Sequence, residues 1–334
     1  MADNMNYILV RTVVKKAIHD IKTDPKRTVR NLVDMALQFT DSRFQKQFFS
    51  TASKLLSNEN SGYYALVQDT LTRVDEDRLL TVCMNLGYNG MYSAAKSIRS
   101  REAADGFNIP WTVALAVTGE KTDRHNEIVT QGEMLGIYAW HLFSHGSIQN
   151  CISLAAKHPH SAFICFCNTG ELNTEVLDHA SGSKNMIFII PYDSDADVTC
   201  NTLRQMGFLY GLHYSYGSDD IDMIESGELL HDMEQLYPAF CILKPQKTCH
   251  PEYSERVHKW VTDARIEQQF RTLPWEMYKD MLLVDEVISE EPCWVEFDAE
   301  GQLSTHKGKC ENPDWNIRRN GLSEIFKQAL PRTQ

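Results

Sequence analysis

Five side chains have the types and spacing to bind a metal: His141, His145, Cys165, Cys167 and His213. Successive side chains of a β-strand point to opposite faces. His141, Phe143 and His145 therefore share one strand face, and Cys165 and Cys167 share a face of the next strand, with His213 two strands further on. If all five faced one interior, imidazoles and thiolates would form a set suited to zinc or copper. The plainer expectation is that the histidines are polar residues lining the sheet and the thiols are core, because spacing alone does not fix which way a face points.

Two acidic groups come next, Asp193, Asp195 and Asp197, then Asp219 and Asp220. Each stands between a strand-like run and a helical one. A cation or cationic substrate would suit them, but helix capping suits them at least as well. The Asp-x-Asp-x-Asp spacing lacks the glycine and distal glutamate of an EF-hand loop. Tyr210, Tyr214 and Tyr216, with His213, make one strand aromatic and polar, fit either to stack a ring or to pack against helices. His158-Pro159-His160 and His250-Pro251 read as turn histidines. No P-loop, dinucleotide-binding glycine fingerprint or G-x-S-x-G elbow occurs.

The elements that must position these groups follow from a change of period. Residues 1 to about 105 recur at helical spacing, with Val10, Val13, Val14, Ala17 and Ile18 as one stripe, Val29 to Leu37 as a second and Phe44 to Leu56 as a third. Asp24-Pro25 marks a helix start. From Pro110 short apolar runs appear at 112–117, 137–144, 161–167, 186–191, 208–214 and 238–243. Helical segments at 126–135, 147–157, 172–180, 195–206 and 222–236 alternate with them, the pattern of βα units and a parallel sheet. Six units are too few for a closed eight-unit barrel and fit an open one. In such a sheet working groups lie beyond the carboxyl ends of the strands. That rule selects the mouth candidates His145, Asn168, Asp193 and Tyr216. From about 251 the pattern is α+β, with a helix at 252–270, a hairpin at 293–305 turning through Asp298-Ala299-Glu300-Gly301, and a helix at 321–330. The expected architecture is a helical region over 1–105, a partial, open βα barrel over 106–250, and a small α+β cover over 251–334 on the sheet's open edge.

Composition narrows the function. A formal net charge of −12 opposes a surface built to clamp nucleic-acid phosphates. No apolar run is long enough to span a membrane, and no secretory leader pattern is present, so the expectation is a cytoplasmic protein with neither nucleic acid nor membrane as partner. The nine cysteines are odd in number, irregularly spaced and partly in apolar runs such as FICFC, which points to buried thiols rather than a disulfide framework.

Several segments together resemble the radical S-adenosylmethionine enzymes with a SPASM-like or twitch-like C-terminal region. These are Met84-Asn85-Leu86-Gly87, Asn108-Ile109-Pro110-Trp111 before the first strand, Gln131 to Gly136 before the second, the six βα units, and Phe297 to Gly301 followed by Asn316-Ile317-Arg318. The resemblance implies a C-x-x-x-C-x-x-C loop after the first strand, holding a [4Fe–4S] cluster whose open iron binds the cofactor. This chain has no cysteine between Cys83 and Cys151, and the loop TGEKTDRHNE is short. Where the family has a carboxylate at the end of the second strand, this chain has Phe143-Ser144-His145-Gly146-Ser147. No cluster ligand carries over, and only Asn168-Thr169-Gly170 loosely matches. The expectation is a degenerate, cluster-free member without a cofactor, acting as partner of an active relative. The alternative is a cluster-free enzyme whose barrel mouth binds S-adenosylmethionine, a metal or another small molecule.

Overall fold

The computed structural model describes residues 2–21, 25–38, 50, 53–54, 56–119 and 122–332. The chain divides into two compact units, and each draws on two separate stretches: Met1–Leu80 with Pro191–Met277, and Thr81–Ile190 with Tyr278–Gln334.

The second of these units holds the strands β1 (Thr112–Val117), β2 (Ala139–Ser144), β3 (Ala162–Phe166) and β4 (Met186–Pro191). They pair in parallel and in chain order. The helices Thr122–Leu135, Ile148–Lys157 and Thr174–Ala180 connect them, so the expected βα rhythm is present. All six residues of β1 are buried, the mark of a strand covered on both faces. The C-terminal hairpin does more than cover the edge. β8 (Val295–Phe297) pairs parallel with β1, and β9 (Leu303–Thr305) and β10 (Gly308–Lys309) continue antiparallel beyond it.

The hairpin turns where its sequence requires. Gly301 has φ +82, and Asp298 Oδ1 accepts the Glu300 and Gln302 amides at 3.1 and 2.8 Å. A Cβ on Gly301 would stand 2.9 Å from Asn316 Oδ1, and the Ile317 amide donates to the Gly301 carbonyl. Two segments linked in sequence only by resemblance, 297–301 and 316–318, are therefore packed together.

The lead-in to β1 is held by buried carboxylates. The Ile109 amide donates to Glu102 and the Trp111 amide to Asp285, both at 2.8 Å, while Trp111 Nε1 donates to the Gly90 carbonyl. Gly90 belongs to an unusually long π-helical run, Cys83–Ser93. Asn85 of the same run donates to the carbonyls of Pro159 and Ser161 at 2.9 Å. The segment Gln131 to Gly136 is likewise structural. Gln131 caps the last helix through the Leu322 amide, and Glu133 accepts from Ser161 at 2.6 Å and pairs with His158 at 3.1 Å. At Gly132 a Cβ would lie 2.3 Å from the Trp140 ring. Only glycine lets this helix approach β2 so closely.

The other unit carries β5 (Tyr210–Tyr216), β6 (Phe240–Pro245) and β7 (Leu273–Glu276), again parallel. The ten strands among the described residues exceed the six expected; the additional ones are β7 and the C-terminal three. Pro274 stands in β7, which ends the strand order, where a missing amide donor is tolerated. The N-terminal helices Ala2–Ile21, Pro25–Gln38 and Gly62–Arg73 belong to this unit. Arg73 joins the last of them to β5, donating to the Phe208 carbonyl at 3.2 Å and lying 4.6 Å over the Tyr210 ring. Arg204 forks onto Asp69 at 2.5 and 3.2 Å. Most of the aromatic stripe expected at Phe44 to Leu56 lies outside the described residues.

Candidate functional site

The carboxyl ends of β1, β2 and β3 are where a mouth would open in the second unit. After β1 the chain passes through only 118–121 before a helix begins at Thr122. The expected loop, read as reaching residue 127, is thus shorter than its sequence suggested, because TDRHNE is already helical. Arg124 secures this start: its guanidinium donates to the carbonyls of Ile317 at 2.5 Å and Asn320 at 2.7 Å. Burial and the nearby Arg318 push the pKa of His125 below its ordinary value.

At the end of β2, Ser144 Oγ donates to Glu171 Oε1 at 2.5 Å and accepts the Ser147 amide at 3.1 Å. Glu171 follows β3, and its Oε2 accepts the Asn168 amide at 3.0 Å, closing a capping box. Sequence reasoning placed no carboxylate here. The fold supplies one from the neighbouring loop, and the signal available was the Asn-Thr-Gly-Glu box itself. His145 is exposed on this rim, its amide donating to the Val117 carbonyl at 3.0 Å. His145 and Asn168 thus stand at the ends of adjacent strands.

The remaining mouth candidates belong to the other unit. Asp193 Oδ1 accepts the Asp195 amide at 3.0 Å ahead of the helix Ala196–Gln205, a turn role. Asp220 accepts the Gly217 amide at 2.7 Å and the Tyr214 hydroxyl at 2.9 Å. Tyr216 is buried and donates to Glu276 Oε1 at 3.0 Å, and Tyr210 donates to the Leu236 carbonyl at 2.6 Å. Each tyrosine hydroxyl of β5 therefore has a protein acceptor. Burial, with the Glu276 carboxylate beside it, pushes the Tyr216 phenol well above its usual range. The sequence did not single out Glu276, a fully buried carboxylate at the end of β7.

The metal set does not assemble on one face. In the parallel register His141 stands opposite Ile164, and Cys165 opposite Leu142. Paired residues share a face, so His141 and Cys165 point to opposite sides of the sheet. His141 is buried against Thr112, whose hydroxyl donates to the Ala139 carbonyl at 2.9 Å and meets His141 Nδ1 at 3.0 Å. That hydroxyl has one proton, already given, so Nδ1 is the donor. Burial lowers the His141 pKa to about 4. Cys165 contacts Cys151 of the helix behind the sheet and also Cys167, and the Cys165 thiol is held well above its usual pKa. Among the described residues no three His, Cys, Asp or Glu side chains converge as a metal site. His213 is in the other unit, its pKa lowered to about 4 by burial and by Lys244.

No protein-family profile matches the chain, and no curated protein matches it in sequence. In structure it is similar to Streptococcus suis SuiB bound to S-adenosylmethionine, with a TM-score of 0.50 and 9% identity over 69% of this chain and 67% of that one. At 9% identity the likeness is one of backbone arrangement, since functional sites vary independently on shared folds. Among the described residues, no helix is long and apolar enough to cross a membrane.

Proposed function

We propose that this protein is a cluster-free, non-catalytic member of the radical S-adenosylmethionine-like fold that supports an active relative as a partner subunit. The observation that carries this reading is the junction after β1. The sequence has no cysteine between Cys83 and Cys151, and the helix that follows β1 is in place from Thr122, anchored by Arg124 to the C-terminal segment. A cluster needs thiolate ligands, and the nearest cysteines in sequence are Cys83, which is exposed, and Cys151, whose thiol is pushed well above its usual pKa by the Cys165 thiol and by burial. Without a cluster there is no electron donor to cleave the sulfonium, so what the fold retains is shape. Co-purification tests the partner role: a stable complex with a chain carrying an intact three-cysteine motif supports it, and turnover by this chain alone overturns it.

A second reading, a cluster-free enzyme that binds S-adenosylmethionine at the mouth, is favoured by Glu171. Its carboxylate, held by Ser144 and Asn168, has the charge to attract an amino group. Titration calorimetry with S-adenosylmethionine separates the two. Binding that is lost in Glu171→Gln supports the enzyme, and no heat of binding supports the scaffold.

A further inference from the structure

We propose that the outward face of the first helix, Ala2–Ile21, docks an acidic segment of another protein that carries apolar anchors. Ala17 and Ile18 fix the helix's inner side at 5% exposure each. On the opposite side Met5, Ile8 and Leu9 remain 67%, 58% and 59% exposed. These are i, i+3 and i+4 positions, which adjoin on a helix surface. Over the next three turns the helix carries Arg11, Lys15, Lys16 and His19, all exposed. The stripe therefore runs from apolar to cationic along the helix.

The cationic part is concave. Ile8, Arg11, Lys15, Lys16 and His19 line a cleft of about 460 Å³ with Glu76, the first residue of the helix Glu76–Val82. None of Arg11, Lys15 and Lys16 forms an ion pair with another described residue. A cluster of cations is out of character for a chain of net charge −12, and its field selects an anion.

Three features choose among anions. A flat bilayer does not enter a cleft. A small phosphate would use the cations and leave Met5 and Leu9 bare. A second copy brings its own charge of −12 against this one, a repulsion its local acids must first overcome. An acidic helix with apolar residues at matching spacing uses both parts of the stripe at once. The inference goes beyond the partner reading above, because it holds whether or not the mouth is catalytic.

The test uses the full chain and a fluorescein-labelled synthetic helical peptide bearing Glu and Leu at i, i+4 spacing, read by anisotropy. Binding is expected at low salt and should weaken as salt screens it. The double variant Lys15→Glu/Lys16→Glu should lose about tenfold or more in affinity. Ile8→Ser/Leu9→Ser should lose severalfold, and a peptide with Ser in place of Leu should bind more weakly to the unmodified chain. All four substituted side chains are exposed, and unchanged circular dichroism would verify the fold. The proposal is overturned if the peptide does not bind at low salt, or if every variant binds it equally. It is also overturned if phosphatidylserine vesicles or pyrophosphate, rather than the peptide, show the variant-dependent binding. Self-association abolished by the same substitutions, without peptide binding, would assign the face to a second copy and overturn it too.

Discussion

The two ends of β1 make opposite uses of carboxylates. At its start Glu102 and Asp285 are fully buried and accept the amides of Ile109 and Trp111. Burial, outweighing the Trp111 and Cys293 amides, pushes the Asp285 carboxyl up to about 8, and burial likewise raises Glu102. At the other end Glu171 is only half-buried and occupied by Ser144 and Asn168. Strongly perturbed groups mark functional sites in many enzymes. Here, at β1, they stand at the start of the strand, where they fix the lead-in. The contrast is between fully buried carboxylates that hold the lead-in to the strand and a half-buried one that ties together the ends of its neighbours.

The largest effect should come from removing the carboxylate at the start. Asp285→Ala strips the buried Trp111 amide of its acceptor, at about 1–3 kcal/mol for each donor left unpaired. Denaturant melts should show that loss, and a value near zero would mean the lead-in is not held this way. Gly132→Ala should cost about 1–3 kcal/mol through the clash with Trp140, leaving the start of β1 untouched.

The pH response sharpens the same comparison. An acid whose folded pKa lies above its unfolded one binds more protons when folded, so it loses stability as pH rises between the two values. For Asp285 that window runs from the ordinary aspartate value of 3.8 to about 8, with a slope of up to about 1.4 kcal/mol per pH unit. Asp285→Asn keeps an acceptor and removes the titration. Its stability relative to the unmodified protein should therefore grow across that window and level off above it. A constant difference would place the carboxyl in an ordinary environment. The smallest effect should be at the mouth, where Glu171→Gln keeps an acceptor for Asn168 and should cost less than about 1 kcal/mol. A larger loss there than at Asp285 would reverse the contrast.

Much of the sheet was legible because its strands and helices have different periods. The runs at 112–117 and 186–191 coincide with β1 and β4, and the hairpin at Asp298 to Gly301 announces itself through its glycine. What sequence could not supply was register. The separation of His141 from Cys165 depends on which residue of β2 stands opposite which residue of β3, and no local pattern encodes that. Glu171 was missed for a related reason, since its meeting with Ser144 is made across two strands. Nor did the expectation of a mere edge cover foresee β8 pairing in parallel with β1, because a three-residue strand carries almost no periodic signal.

With no cysteine between Cys83 and Cys151, the end of β1 should take up no cluster. Anaerobic reconstitution with iron and sulfide, followed by desalting, iron assay and absorption spectroscopy, tests it most directly. Iron should stay at background, with no sulfur-to-iron charge-transfer band. About four irons per chain with that band, the content of one [4Fe–4S] cluster, would contradict it.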